Sequence, residues 1–189
     1  MPANIGIDEM TFSDSNKYTS PAKIFHWLTA LFIVLQCAVG WIMPDVDELS
    51  TPEGLVSVHL SIGVLIAVLL VVRLMWRFGH KPPQASIQLS PAFRFAAGVT
   101  HWAIYLLLLI VPILGWTNAV ERGWSVTLFG IFRVPNMLLR ESALWADIGD
   151  MHIASVWVLV VLVSLHALAA LYHHFVLKDD TLKRMLPGS

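Results

Sequence analysis

Four stretches of this 189-residue chain run for about twenty residues almost without charge. They are 24–43 (IFHWLTALFIVLQCAVGWIM), 55–76 (LVSVHLSIGVLIAVLLVVRLMW), 95–116 (FAAGVTHWAIYLLLLIVPILGW) and 151–177 (MHIASVWVLVVLVSLHALAALYHHFVL). As a helix, each is long enough to cross a hydrocarbon layer of roughly 30 Å. Lipid offers no partner to a free backbone N–H or an open sheet edge, so such stretches must cross as helices. Only 13% of the residues are charged, against about 25% in a soluble domain. The expected fold is therefore an all-α integral membrane protein, a four-transmembrane-helix bundle.

Turn residues divide the chain around these spans. Residues 1–19 are polar, without the basic start and apolar core of a signal peptide, and read as a flexible arm. Ser20-Pro21 reads as a helix start, with Ser20 as cap and Pro21 in the first turn. Pro44 stops the first span, and Pro112 should kink the third, which membrane packing tolerates. Residues 20–178 form the membrane domain and 179–189 a short tail. The connection 117–150 is long for a small bundle; within it VPNMLLRESALWADI has apolar residues at roughly helical spacing and reads as a short interfacial helix.

The basic residues orient the bundle. Lys17, Lys23, Arg73, Arg77, Lys81, Arg94, Lys178, Lys183 and Arg184 fall on one side; Arg122, Arg133 and Arg140 fall on the other. The positive-inside rule puts the first group, and both termini, in the cytoplasm. Asp45, Asp47, Glu48 and Glu53 then make the first external connection acidic. Cys37 is the only cysteine, which excludes an internal disulfide and a cysteine-built metal site. There is no Walker, Rossmann, EF-hand or CxxCH motif, and nothing suggests nucleic-acid binding.

The histidines carry the chemistry. His152 and His166 are fourteen residues apart in the fourth span. At 100° per residue they point the same way to within about 40°, and they are separated by a rise of about 21 Å. One helix thus presents two imidazoles on one face at two depths. At the external depth only His59 is available to pair with His152. At the cytoplasmic depth His26 and His101 both compete to pair with His166, and depth does not choose between them. Two facing imidazoles suit the axial positions of a haem iron. Zinc asks for four ligands, and no Asp, Glu or Cys lies at these depths to complete them. Gly63, Ser155 and Ala170 would leave gaps for a flat macrocycle. Arg73 and Arg77 are candidates to pair with haem propionates, since an unpaired charge inside a membrane is costly. The bundle is thus expected to hold two b haems. The plainer alternative, a single histidine bonded to a neighbouring helix, does not explain five histidines at two matched depths. His173 and His174, with Lys178 and Asp179 nearby, are either interfacial anchors or proton-exchanging residues of a quinone site.

These residues resemble the bacterial cytochrome b561 family, small four-helix dihaem proteins of the inner membrane. The resemblance covers about 16–187 and rests on KYTSPAKIFHW, VSVHLSIGVLIAVLLVVRLMWR, THWAIYLLLLIVPILGW and SLHALAALYHHFVLKDDTLKRMLP. It implies that His26 and His166 hold the cytoplasmic haem and that His59 and His152 hold the periplasmic one. His101 would then be a neighbour of the cytoplasmic site, on its propionate side. Family members move single electrons between a donor and the quinone pool, and some are superoxide:ubiquinone oxidoreductases. On that pattern superoxide would approach the periplasmic haem, steered by Arg122 or Arg133, and ubiquinone would be reduced near the cytoplasmic one. Two other readings are a quinol-linked cytochrome serving another redox protein, and a haem-free transporter.

Overall fold

The computed structural model describes residues 17–47, 50–80, 83, 90–135 and 148–188. Its frame is four helices: α1 (Ser20–Ile42), α2 (Gly54–Gly79), α3 (Pro91–Glu121) and α4 (Ile148–Tyr172). All four meet the length and apolarity of a membrane span, with α4 and its continuation counted as Ile148–Leu177. The second and third apolar stretches lie wholly within α2 and α3, the first runs one residue past α1, and the fourth continues through the turn after α4. The helices extend beyond those stretches because their polar ends lie outside the apolar runs but keep helical backbone.

The helix starts follow local chemistry. Ser90 caps α3, its hydroxyl accepting from the Phe93 N–H at 3.5 Å, and Pro91 fills the first helical position, where no N–H is needed. The cap of α1 falls on Thr19 rather than Ser20. The Thr19 side chain is turned elsewhere, accepting a hydrogen bond from Trp76 Nε1 at 3.0 Å. α3 continues as one helix through Pro112. At its far end α4 widens into a π-helical turn, His173–Leu177, closed by Lys178 in the left-handed region (φ 53°).

α2 is the centre of the bundle. Ile62, Ile66 and Leu70 on α2 join Tyr105 and Leu108 on α3 and Leu159 on α4 in one buried cluster, with Leu70 fully enclosed. Helices pack as neighbours in sequence: α1 on α2, α2 on α3 and α3 on α4. α4 has no comparable backbone packing on α1 or α2, and side chains span that gap instead. In lipid, helix association rests on packing rather than on removal of apolar surface from water. A gap between helices must therefore be filled by something that packs.

Both ends of the described chain lie at one end of the bundle. The tail folds back so that Trp27 Nε1 on α1 donates to the Met185 carbonyl at 2.8 Å. At the opposite end a small hairpin follows α3. β1 (Thr127–Leu128) pairs antiparallel with β2 (Phe132–Arg133), with Thr127 opposite Arg133 and Leu128 opposite Phe132. Sequence reading missed this hairpin, because its strands are two residues long and show no alternation. Its turn places Phe129 (φ 48°) and Gly130 (φ 73°) in the left-handed region, and Ile131 N–H closes it on the Leu128 carbonyl. Glycine takes that conformation freely but phenylalanine does not. Phe129 is held there because its N–H donates to the hydroxyl of Ser61, a fully buried residue of α2, at 2.9 Å. The Ser61 hydroxyl proton in turn lies between the carbonyls of Ser57 (2.8 Å) and Thr127 (3.1 Å). The interfacial helix expected in 134–148 lies almost wholly outside the described residues, as does Arg140.

Candidate functional site

The histidines meet across the gap between α4 and the α1–α2 pair. At the bundle end that carries both termini, His26 (α1) faces His166 (α4), with ring centres 6.3 Å apart and planes at 67°. Toward the opposite end His59 (α2) faces His152 (α4), again at 6.3 Å, with planes at 80°. A metal about 2 Å from one nitrogen of each ring puts two imidazole centres roughly 6 Å apart. Both pairs have that spacing. His101 (α3) also approaches His166, but at 5.0 Å, too close to seat an ion in line between the rings. Among the described residues, no three His, Cys, Asp or Glu side chains gather as a metal cluster.

The hydrogen bonds on the rings bear on ligation. His152 donates from Nδ1 to the Val111 carbonyl at 3.0 Å. That bond fixes the tautomer and leaves the Nε2 lone pair free, as is usual for a metal-binding histidine. His101 does the same toward its own helix, donating to Ala97 at 2.7 Å. His59 Nδ1 is buried without a hydrogen-bond partner. His26 Nδ1 accepts from an Arg73 guanidinium N–H at 2.9 Å. A guanidinium has no acceptor, so the His26 proton then sits on Nε2. For Nε2 to bind a metal, that proton must move and Arg73 must let go.

Two glycines make room for the far pair. A Cβ on Gly115 would lie 2.9 Å from His152 Cε1 and 3.2 Å from its Nδ1. A Cβ on Gly40 would lie 3.3 Å from His59 Cε1. Gly63, read in the sequence as a gap for a flat macrocycle, faces the Gln36 amide, whose Nε2 would lie 3.5 Å from a Cβ there, an ordinary contact. Helical spacing gave a usable signal, since Gly40 follows Gln36 by one turn. Which glycine faces which ring depends on helix rotation, which the sequence does not encode.

A cavity of about 60 Å³ opens beside His26 at the terminal end. Lys17, Tyr18, Arg73, Arg77, His80 and Tyr105 contribute its polar lining, and among the described residues no carboxylate lines it. Arg73 and Arg77 both lie over the Tyr105 ring, at 5.2 and 5.8 Å from its centre. Burial raises the Tyr18 phenol above its ordinary pKa, while the Arg77 charge opposes that rise. Two guanidinium groups around one apolar-walled cavity make it a place for an anion.

The other candidates are spread over both ends. His173 pairs with Asp179 across the π-helical turn, Nδ1 to Oδ2 at 2.5 Å. Burial by itself would raise the Asp179 carboxyl; the bonds from His173 and Thr181 outweigh it and hold the carboxyl below its ordinary value. His174 Nδ1 is buried without a partner, and Lys178 is exposed. At the opposite end Arg122 is an intramolecular tie. It donates to the Asp47 carbonyl at 2.7 Å and to Asn118 Oδ1 at 3.3 Å, and lies over Trp124. Arg133 is exposed on β2.

A gap bridged by facing imidazoles at two levels, with room carved beneath one pair, has the form of a site for flat metal macrocycles. Comparison with known proteins agrees. The sequence profile described as prokaryotic cytochrome b561 matches residues 17–188. The chain is 37% identical to "Cytochrome b561 homolog 2" of Escherichia coli (strain K12), over 95% of this chain and 97% of that one. It is 32% identical to "Probable superoxide oxidase CybB" of Yersinia pestis, over 90% and 96%. It is 28% identical to "Cytochrome b562" of Cereibacter sphaeroides, over 89% and 94%. The chain therefore belongs to the prokaryotic cytochrome b561 family, multi-pass proteins of the bacterial inner membrane that bind b haem and transfer electrons.

Proposed function

We propose that this protein carries electrons across the membrane through two b haems, taking them from superoxide on the periplasmic side and delivering them to ubiquinone. The observation that carries this reading is the pair of 6.3 Å imidazole spacings, one at each level of α4. His26 and His166 would hold one haem, and His59 and His152 the other. Each bound haem supplies a one-electron ferric/ferrous couple. The chain's own residues do the rest. The Val111 carbonyl orients His152. Gly115 and Gly40 leave space at the rings. Arg73 and Arg77 would neutralise the propionates, which also relieves two cations whose cavity has no carboxylate among its described lining residues.

The positive-inside rule supports placing both termini in the cytoplasm. The cavity at that end then faces the cytoplasm and the hairpin faces the periplasm. Arg122 and Arg133 are the periplasmic cations nearest in sequence to the hairpin. With Arg122 tied to the Asp47 carbonyl, Arg133 is the more accessible of the two for steering an anion. In balance, two superoxide anions give up one electron each and leave as dioxygen, while one ubiquinone takes two electrons and two protons. His173, His174 and Lys178 are the candidates to pass those protons. Asp179 supports that role for His173 by bonding one ring nitrogen and orienting the ring.

A second reading is a quinol-linked cytochrome, either a carrier or a membrane subunit serving another redox protein. It is favoured by the 37% relative, whose name specifies a cytochrome and no donor. Pyridine haemochrome and redox difference spectra on purified protein test the core of both. Two b haems per chain are expected, one lost in both His59→Ala and His152→Ala, the other in both His26→Ala and His166→Ala. Retention of both haems in His166→Ala overturns the pairing. Stopped-flow mixing with superoxide and a soluble ubiquinone then separates the readings. Rapid haem reduction by superoxide supports the first, and its absence together with a co-purifying redox protein supports the second.

A further inference from the structure

The four paired histidines differ in what holds their outward nitrogen. His152 Nδ1 has the Val111 carbonyl and His26 Nδ1 has Arg73, whereas His59 Nδ1 is buried without a hydrogen-bond partner. His80 and His101 both use the carbonyl four residues back in their own helix, and His59 does not. Within reach of the same helix turn lies a second orphan. Gln36 of α1 donates from Nε2 to the His59 carbonyl at 3.0 Å, and its Oε1 is buried without a partner. The orientation of that amide is fixed, because a carbonyl can be met only by the nitrogen. Gln36 and Gly40 are one turn apart on one face of α1. A Cβ on Gly40 would come within 3.5 Å of His59 Nδ1, so this nitrogen is turned toward the α1 face that carries Gln36. One buried nitrogen lacks an acceptor, and one buried oxygen, on the side chain already bonded to the same residue, lacks a donor. Buried polar groups in this state cost free energy until paired.

We propose that Gln36 is the positioning residue of the His59–His152 haem: with iron on His59 Nε2, the His59 Nδ1–H is donated to Gln36 Oε1. This rests on the reading of His59 as an iron ligand. Gln36 thereby clamps one residue twice, by its backbone carbonyl and by its ring. An acceptor on Nδ1 makes the imidazole a stronger donor to iron, which favours the ferric state. Gln36 would then set the potential of this haem as well as its orientation.

The test is a spectroelectrochemical titration of the holoprotein, with Gln36→Leu and Gln36→Glu beside the wild type. The haem in question is the one missing from His152→Ala. In Gln36→Leu its midpoint potential should rise by on the order of 59 mV, the one-electron equivalent of a tenfold shift toward ferrous, while the other haem stays put. Gln36→Glu keeps an acceptor and should not show the rise. Loss of this haem in Gln36→Leu with its retention in Gln36→Glu supports the same bond. Unchanged potentials in Gln36→Leu overturn the proposal, and so does loss of the haem in both variants. If His59→Ala leaves both haems in place, the ligand reading itself has failed, which is a separate result.

Discussion

Gly115→Ala isolates the role of the gap between helices. The added methyl would sit 2.9 Å from His152 Cε1 and 3.2 Å from Nδ1, closer than side-chain carbons pack. One of them must move. In the empty chain the imidazole can swing aside cheaply, and alanine favours helix over glycine by about 1 kcal/mol. Fold stability should therefore change little. With an iron bound, the ring has no such freedom, because it must keep its 6.3 Å spacing from His59 and its 3.0 Å bond to Val111. Displacing a ligand's orienting partner costs about 10- to 100-fold in metal affinity, or roughly 1.4–2.8 kcal/mol. Gly115→Ala should thus purify as a folded helical protein with substoichiometric haem at the His59–His152 site and a full complement at the other. Gly98→Ala, where nothing lies within 4 Å of the new Cβ, is the control and should bind as wild type. The assay is haem per chain by pyridine haemochrome, with helicity by circular dichroism. Two full haems with wild-type spectra in Gly115→Ala would refute the claim that this glycine makes room for a ligating ring.

Two further outcomes follow from the ends of the bundle. Ser61→Ala removes the part-buried bond from the Phe129 N–H and releases the Thr127 carbonyl; it should destabilise the hairpin by about 0.5–1.5 kcal/mol, seen as faster hydrogen exchange over 127–134 while the helices keep their protection. Asp179→Asn should loosen the tail in a pH-dependent way. A carboxyl held below its ordinary 3.8 in the folded state contributes stability that is whole above that value. The contribution is lost as pH falls through the lowered folded value. Tryptic cleavage at Lys183 and Arg184 should therefore be faster in the variant at neutral pH. Hydrogen exchange of 179–186 should converge with wild type in strong acid, and a difference that persists there would contradict the assignment.

Much of this protein is determined by sequence alone, for simple reasons. Four nearly uncharged runs of membrane length admit only helices in lipid, and the structure holds four helical spans over them. The fourteen-residue interval between His152 and His166 fixes their shared face, because helix geometry is local. Family membership was also legible, since its motifs are runs of neighbouring residues. Tertiary structure decided what depends on how one helix is rotated against another. It set His26 and His101 at different distances from His166, 6.3 against 5.0 Å, a difference that depth along the bundle does not contain. It set Gly40 and Gly115 against the rings of His59 and His152, and it brought Gln36 and Tyr105 into sites that their own neighbours in sequence do not announce. It turned Arg122 from a free cation into a tie on the first loop, through a carbonyl 75 residues away. Sequence periodicity says which side chains share a face of one helix. Which face meets which partner is set by packing over the whole bundle, and no single segment contains that information.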